Sequence, residues 1–351
     1  MTGTGNTARA AAVIAEELGA AGWEVHLREI GARVLGVPDG DETLVLCYPV
    51  LGFGMPGLVR KALRGVRGKG RLAAVYATWG GGAGAALLQG RMLLRRKGFR
   101  PVASGGTRFP FQWTQMFAPE TGEEAQLTVD RGTTEARGFG KRLAAGAQGA
   151  PGRLAGGVRR FLAAVFWLPV SVPYAWIGRS MLGATYAADA SCKACGVCQR
   201  QCPAGAIVIT GSGPARRPRW RAACQGCNRC INLCPRGSVQ ESPLRVAVHL
   251  VLNVAVIVGL VSVLNVAARH AAAVVPAAPP VVLSVAYVAV LIAMIVWGSR
   301  LQLLILEPVL FALESVPAFR RLVGKSWTAR FPRYRCPGFK PARSAPGAAQ
   351  R

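Results

Sequence analysis

Three hydrophobic rhythms follow one another along the chain. In the first, residues 8–21 place Val13, Ile14 and Leu18 at helical spacing in an Ala-rich stretch that Gly22 closes. Residues 23–28 then alternate like a strand, while residues 43–48 and 72–78 are the unbroken apolar runs of buried parallel strands. Helices are predicted over 55–63, 85–97 and 123–145, and a strand over 99–104. This alternation predicts an α/β doubly wound parallel sheet. The second rhythm is irregular and cysteine-rich. The third consists of residues 246–268, in which only His249 can titrate, and the uncharged residues 281–298; both runs are long enough to span a bilayer. Another apolar stretch, 161–178, contains Pro169 and Pro173 and is expected to be an interfacial or domain-packing helix, flanked by Arg153, Arg159, Arg160 and Arg179.

Charge sharpens this picture. The chain has 351 residues, enough for two or three domains, with 51% hydrophobic residues and a net charge of +27. Its mean hydropathy is +0.30. Residues 151–351 hold only four acidic side chains, Asp189, Glu241, Glu307 and Glu314, and account for +20 of the charge. Such a surface attracts nucleic acid or anionic lipid. The apolar runs favour lipid, and no basic–aromatic platform for nucleic acid accompanies the charge. Arg236 and Arg245 precede the first run, ten basic residues stand from Arg300 onward, and the 269–280 link carries one. The positive-inside rule therefore expects a transmembrane helical hairpin with both ends at the anionic cytoplasmic leaflet of the inner membrane. A buried hairpin in a soluble domain is the alternative. His249, Asn253 and Asn265 are candidates for a quinone contact or for interhelical hydrogen bonds. No cleavable signal-peptide pattern is visible.

Eight of the ten cysteines form an internal repeat. Cys192-Lys193-Ala194-Cys195-Gly196-Val197-Cys198-Gln199-Arg200-Gln201-Cys202-Pro203 recurs 32 residues later with Cys224, Cys227, Cys230 and Cys234. The spacing C-x2-C-x2-C-x3-C-P, used twice, resembles the bacterial two-cluster ferredoxins, small α+β domains. That resemblance implies two [4Fe–4S] clusters with crossed ligands. Cys192, Cys195, Cys198 and Cys234 would hold one, and Cys224, Cys227, Cys230 and Cys202 the other. Zinc also suits soft thiolates, but structural zinc sites rarely use such triplets. Residues 211–221, rich in Pro and Arg, are expected to be an exposed loop. Cys47 reads as a core thiol, and Cys336 lies in a basic tail without a visible partner.

Thr2-Gly3-Thr4-Gly5-Asn6-Thr7 has the form of a phosphate loop at a helix N-terminus. A parallel sheet binds ligands at the carboxyl ends of its strands, where residues 49–55 and 78–84 also lie. The order of parts resembles flavodoxin. The resemblance implies that Thr2, Thr4, Gly5, Asn6 and Thr7 hold an FMN phosphate. Pro49, Leu51, Gly52 and Phe53 would line one side of the flavin, and Thr78, Trp79, Gly80 and Gly81 the other. For Phe53 and Trp79 ordinary packing is the alternative. Residues 1 to about 241 together resemble ferredoxins with an N-terminal flavodoxin-like domain. The first flavodoxin strand is missing, and the expectation is that about one strand of roughly five to ten residues lies upstream.

The chain thus divides into a flavodoxin-like FMN domain (1–145), a linker with an apolar helix (146–182), a two-cluster ferredoxin domain (183–242), a hairpin (243–315) and a basic cytoplasmic tail (316–351). The expected function is membrane-anchored electron transfer between FMN and two clusters, with the flavodoxin-like and ferredoxin domains in the cytoplasm and a redox protein or quinone as partner. The alternatives are a flavin-dependent reductase acting on a quinone, and a membrane scaffold with structural clusters and no flavin. No side chain stands out as an acid–base catalyst.

Overall fold

The computed structural model describes residues 1–31, 42–146, 161–274 and 280–340. Arg153, Arg159 and Arg160, parts of the 146–182 linker and of the 269–280 link, and the end of the tail lie outside the described residues. Helix α1 (Asn6–Ala20) precedes β1 (Leu44–Pro49), α2 (Gly57–Ala62), β2 (Leu72–Trp79), α3 (Ala86–Arg96), β3 (Arg100–Arg108) and α4 (Gly122–Ala144). The strands form a three-stranded parallel sheet in the order β1-β2-β3, with Leu46 opposite Val75 and Val75 opposite Ser104. The central strand is apolar without alternation because both of its faces are covered. Ala73, Val75 and Ala77 pack with Leu58, Val59 and Leu94 on one face, while Ala74 and Tyr76 pack with Ile14, Leu18, Ala136 and Phe139 on the other. Gly140 lets α1 and α4 meet closely, since a Cβ there would lie 2.9 Å from Glu17 Cβ. Arg137 donates to Glu17 across the same contact at 2.6 Å.

Residues 23–28, expected to be a strand, have no ladder partner among the described residues and are not one. The outer edge of β1 faces a groove of about 500 Å³ bounded by Ala8, Ala11 and Ala15 of α1, residues 23–30 and residues 42–47. That gap separates the two segments that would have to hydrogen-bond, so alternation alone yields no strand.

Helical residues Leu168–Pro173, Tyr174–Gly178 and Arg179–Ala184 lead into the cysteine-bearing module. There β4 (Tyr186–Ala188) pairs antiparallel with β7 (Val239–Glu241), and β5 (Ile207–Thr210) with β6 (Arg217–Trp220). Two short helices, α5 (Val197–Gln201) and α6 (Arg229–Asn232), follow the cysteine triplets. The expectation of an exposed loop over 211–221 fails at β6. Arg217, only 1% exposed, is buried against Glu314, Nε to Oε2 at 3.2 Å.

Two long helices follow, α7 (Pro243–Val274) and α8 (Pro280–Leu313). The second does not end near Gly298 but continues through Arg300 and Glu307, because Glu307 and Gln302 find partners on α7. Only 6% and 11% of their apolar windows (within Pro243–His270 and Ser284–Leu313) are buried, whereas a soluble core helix would be mostly covered. Leu250, Val251, Trp297 and Leu304 all stand exposed. At about 1.5 Å per residue both helices exceed the roughly 30 Å of a hydrocarbon core, so they could cross a membrane. Asn265 accepts from Tyr287 Oη at 2.9 Å, an interhelical contact.

The tail is not a free basic extension. Trp327 Nε1 donates to Gln115 O at 3.0 Å, Arg333 to Gly237 O at 2.9 Å, and Tyr334 N to Asn232 Oδ1 at 2.9 Å. Cys336 is buried with Tyr334 in the α1/α4 core, so its neighbours come from the opposite end of the chain.

Candidate metal centres and the predicted flavin cradle

The repeat in sequence is a repeat in backbone geometry. Gly196 and Asn228 cap α5 and α6 with φ of 74° and 55°, and Ala194 and Gly226 match at 51° and 63°. After each C-P, Gly205 N donates to Cys202 O and Gly237 N to Cys234 O, both at 3.1 Å. These turns fold each triplet around a point and send the fourth cysteine away. Cys192, Cys195, Cys198 and the distant Cys234 accordingly line one cavity, closed by Ile209, Pro218 and Val239. Cys224 and Cys227 lie within electrostatic reach of one another and of Cys202, and Cys230 within reach of Cys224 and Cys227. A single zinc needs thiolates about 2.3 Å from a common point, whereas four thiols spread around a cavity suit a multi-iron cluster.

The two sites differ in environment. Cys195 is exposed, while Cys224 and Cys230 are buried. Burial pushes the Cys227 thiol up to about 11 and the Cys198 thiol up to about 12, and raises Cys202, Cys224 and Cys230. For Cys234 burial also acts upward, but the Ser238 hydroxyl at 3.2 Å and the amides of Arg236, Ser238 and Val239 outweigh it and lower the thiol. Thiols held protonated by burial become ligands when positive iron replaces their protons. Amides already point at sulfur from Ala194 to Cys192 at 3.4 Å, Ala206 to Cys202 at 3.3 Å and Gly226 to Cys224 at 3.4 Å. Such bonds tune reduction potentials. The donor set and its arrangement fit two clusters.

Residues 191–239 match the family model of a 4Fe-4S dicluster domain. They form a ferredoxin-type domain, which supports an iron–sulfur electron-transfer role. No curated protein and no solved structure matches the chain.

The dicluster domain sits against the loops expected to cradle FMN, and all three do meet at the carboxyl end of the sheet, where Thr7 Oγ1 and Thr78 Oγ1 are 2.7 Å apart. Their polar groups, however, are engaged within the protein. Thr2 Oγ1 accepts from Gly5 N at 3.1 Å, and Thr4, through its amide at 3.2 Å and its hydroxyl, donates to Gln112 Oε1. Asn6 donates to Pro110 O at 3.1 Å and accepts from Tyr334 Oη at 2.7 Å. Thr2, Thr4, Asn6 and Thr7 are all buried. Gly5 lies under Phe339 and Cys336, so the tail covers the α1 N-terminus. In the second loop Pro49 ends β1, Leu51 bridges to Gly54, Gly52 abuts the Tyr174 ring, and Phe53 stacks on Trp167 at 3.9 Å. In the third, Trp79 ends β2 against Gly106 and Gly80 meets Phe111, while a Cβ added at Gly81 would meet no described atom within 4 Å. The residues present do not fit FMN. Backbone carbonyls, a carboxamide and the four rings of Phe111, Trp167, Tyr174 and Phe339 stand where a phosphate and a flavin were expected.

The loop instead holds the dicluster domain. Gly3 comes so close that a Cβ there would be 2.7 Å from Cys227 O, and Gly3 O accepts from Arg229 Nε at 2.9 Å. Arg229 also donates to Gln201 O at 3.0 Å and Glu29 Oε1 at 2.7 Å. Gln225 Oε1 accepts from Leu58 N at 3.0 Å, and Asn228 donates to Gln112 O at 3.1 Å. Sequence reading missed Gln112, Arg229 and Gln225, since nothing in a cysteine spacing reveals which intervening polar residues face a neighbouring domain. The aromatic content of residues 161–178 was the available signal for Trp167 and Tyr174.

Proposed function

We propose that the protein is a membrane-anchored carrier that moves single electrons through two [4Fe–4S] clusters. The observation that carries this is Cys234 joining the Cys192 triplet around one cavity, because crossed ligation sets two clusters side by side. Cys192, Cys195, Cys198 and Cys234 would hold one, and Cys202, Cys224, Cys227 and Cys230 the other. When bound, such clusters store and release one electron each. The protein's part is to keep water from the Cys224 site, through Gly183, Arg179 and the Thr2–Gly5 backbone, and to leave the Cys195 side open to a redox partner. The helical hairpin would anchor this assembly with both termini on the cytoplasmic side, held to anionic lipid by the basic surface. The α/β unit at 1–145, the dicluster unit at 183–242 and the hairpin at 243–315 would act as one body, which the tail stitches together.

A flavin-dependent quinone reductase receives less support, since Phe339, Tyr174 and Trp167 would all have to leave the cradle. Anaerobic purification of the full chain decides the matter. About eight iron and eight sulfide per chain, with no flavin absorbance after incubation with FMN, are expected. Zinc without sulfide, or stoichiometric yellow flavin, overturns the reading.

A further inference from the structure

Five ionisable side chains form a continuous, nearly dry chain from the dicluster domain into the helical hairpin. Arg217 sits one residue from Pro218, which lines the Cys192 cavity. It donates to Glu314 Oε2 at 3.2 Å. Arg245 bonds Glu314 Oε1 through Nε at 2.8 Å and Nη2 at 2.6 Å, and both Glu307 oxygens through Nη1 at 3.0 Å. Glu307 Oε1 in turn lies 2.9 Å from His249 Nε2. Arg217, Arg245, His249 and Glu314 are each buried to within a few per cent. Two arginines and two carboxylates balance, so the chain is neutral while His249 is neutral.

The far end is built for either protonation state of His249. With Nε2–H donating to Glu307, Nδ1 is a lone pair, and Gln302 Nε2 supplies its donor at 3.2 Å. The other atom of that carboxamide, Gln302 Oε1, is buried and has no partner among the described residues. Gln302 Nε2 also donates to His249 O at 3.3 Å. A half-turn of the amide would give up that bond, leaving His249 O to Asn253, but would exchange donor for acceptor and satisfy a protonated Nδ1–H. The histidine backbone is held in place meanwhile, because Asn253 Nδ2 donates to His249 O at 2.7 Å and Ser299 Oγ to Asn253 Oδ1 at 3.2 Å.

We infer that His249 is a proton-uptake site coupled to reduction of the dicluster domain. The inference rests on the electron-transfer reading above. One electron from a one-electron donor reduces cluster iron, and one proton from water forms an N–H bond at His249 Nδ1. The charge added to the protein is then zero, and no other group is oxidised or reduced besides the donor. The charged groups facing His249 are Glu307 from α8 and, beyond it, Glu314 just after the end of α8, Arg245 from its own helix and Arg217 from β6. Arg320, on the adjoining Pro317–Val323 helix, acts on Arg217.

The test is redox potentiometry of the full chain, purified anaerobically in lipid nanodiscs and followed by EPR across about pH 5 to 8, where an imidazole changes charge. The potential of one cluster should fall as pH rises, by up to about 59 mV for each tenfold drop in proton concentration. Infrared difference spectra on reduction should carry imidazole bands. His249→Gln should abolish both signals at unchanged iron and sulfide content, and Gln302→Leu should shift the pH range of the dependence. Reversible clusters with pH-independent potentials, or a slope that survives His249→Gln, overturn the inference and leave electron transfer standing. Clusters that accept no electron overturn both.

Discussion

Arg229→Met tests the claim that the N-terminal loop serves as a mount for the second cysteine triplet. Arg229 is 4% exposed, and its guanidinium binds three separate parts of the chain, Gly3 O, Gln201 O and Glu29. Methionine keeps most of the apolar stem contact and loses all three donors. Hydrogen bonds from a charged donor contribute about 1.5 to 3 kcal/mol each. Some of that returns because the Glu29 side chain is 32% exposed and rehydrates. The net cost is therefore about 3 to 5 kcal/mol, the range for breaking a buried pair from one side. For a chain of this size each kcal/mol moves the midpoint by about 2 °C, so a fall of about 6 to 10 °C is expected. Thermal melts of the anaerobic holoprotein at one scan rate measure it, with chelator-induced bleaching as a second readout. Glu29→Gln alone should cost only about 1 kcal/mol, and the double variant less than the sum of the singles. An Arg229→Met protein that melts within about 1 °C of wild type, with unchanged bleaching, would refute the docking argument.

Three further outcomes follow from the same geometry. Gly183→Ala places a Cβ 2.5 Å from Cys224 Cβ, so it should displace that ligand and cut iron from about eight to about four per chain, read by metal analysis. Arg245→Met leaves two carboxylates among apolar helices and should lower stability in detergent by about 3 to 5 kcal/mol, less if Arg217 and His249 compensate. Burial raises the Glu241 carboxyl to about 7, although Thr185 and Gln115 bond its charged form. The folded state therefore holds this proton more tightly than the unfolded chain, and stability falls as pH rises from about 4.5 to about 7. Glu241→Gln should accordingly stabilise by about 1 to 3 kcal/mol at pH 8 and change little below about pH 5, as followed by melts across that range.

Much of the cysteine-bearing site was legible because its information is local. Each triplet acts through spacings of three residues, positive φ at fixed offsets and a Pro after the fourth ligand, all of which a repeat makes visible. The strands around 44–49 and 72–79 were legible for a similar reason, since a strand covered on both faces is apolar throughout. Periodicity misled at residues 23–28, where alternation met no ladder partner, and at residues 211–221, where Pro and Arg suggested a loop. Arg217 overturned the second expectation only because Glu314, 97 residues away, neutralises it. The second helix outran its apolar segment for a related reason, as Gln302 and Glu307 are polar toward α7 and not toward water.

The flavin expectation shows most clearly where local pattern stops. Thr2 to Thr7 has the residues of a phosphate loop, and the chain brings it to the end of the sheet where such a loop belongs. Whether its donors face a ligand depends on what else arrives there, and Gln112, Arg229, Tyr334 and Phe339 come from more than 100 residues away. The sequence by itself determined the ligand chemistry, the repeat, the parallel strands and the two apolar helices, because each is written in residues that are neighbours along the chain. Only the tertiary structure decided that the cradle is filled and that a buried ionic chain joins the dicluster domain to His249. Those outcomes depend on which distant polar groups satisfy one another once water is excluded.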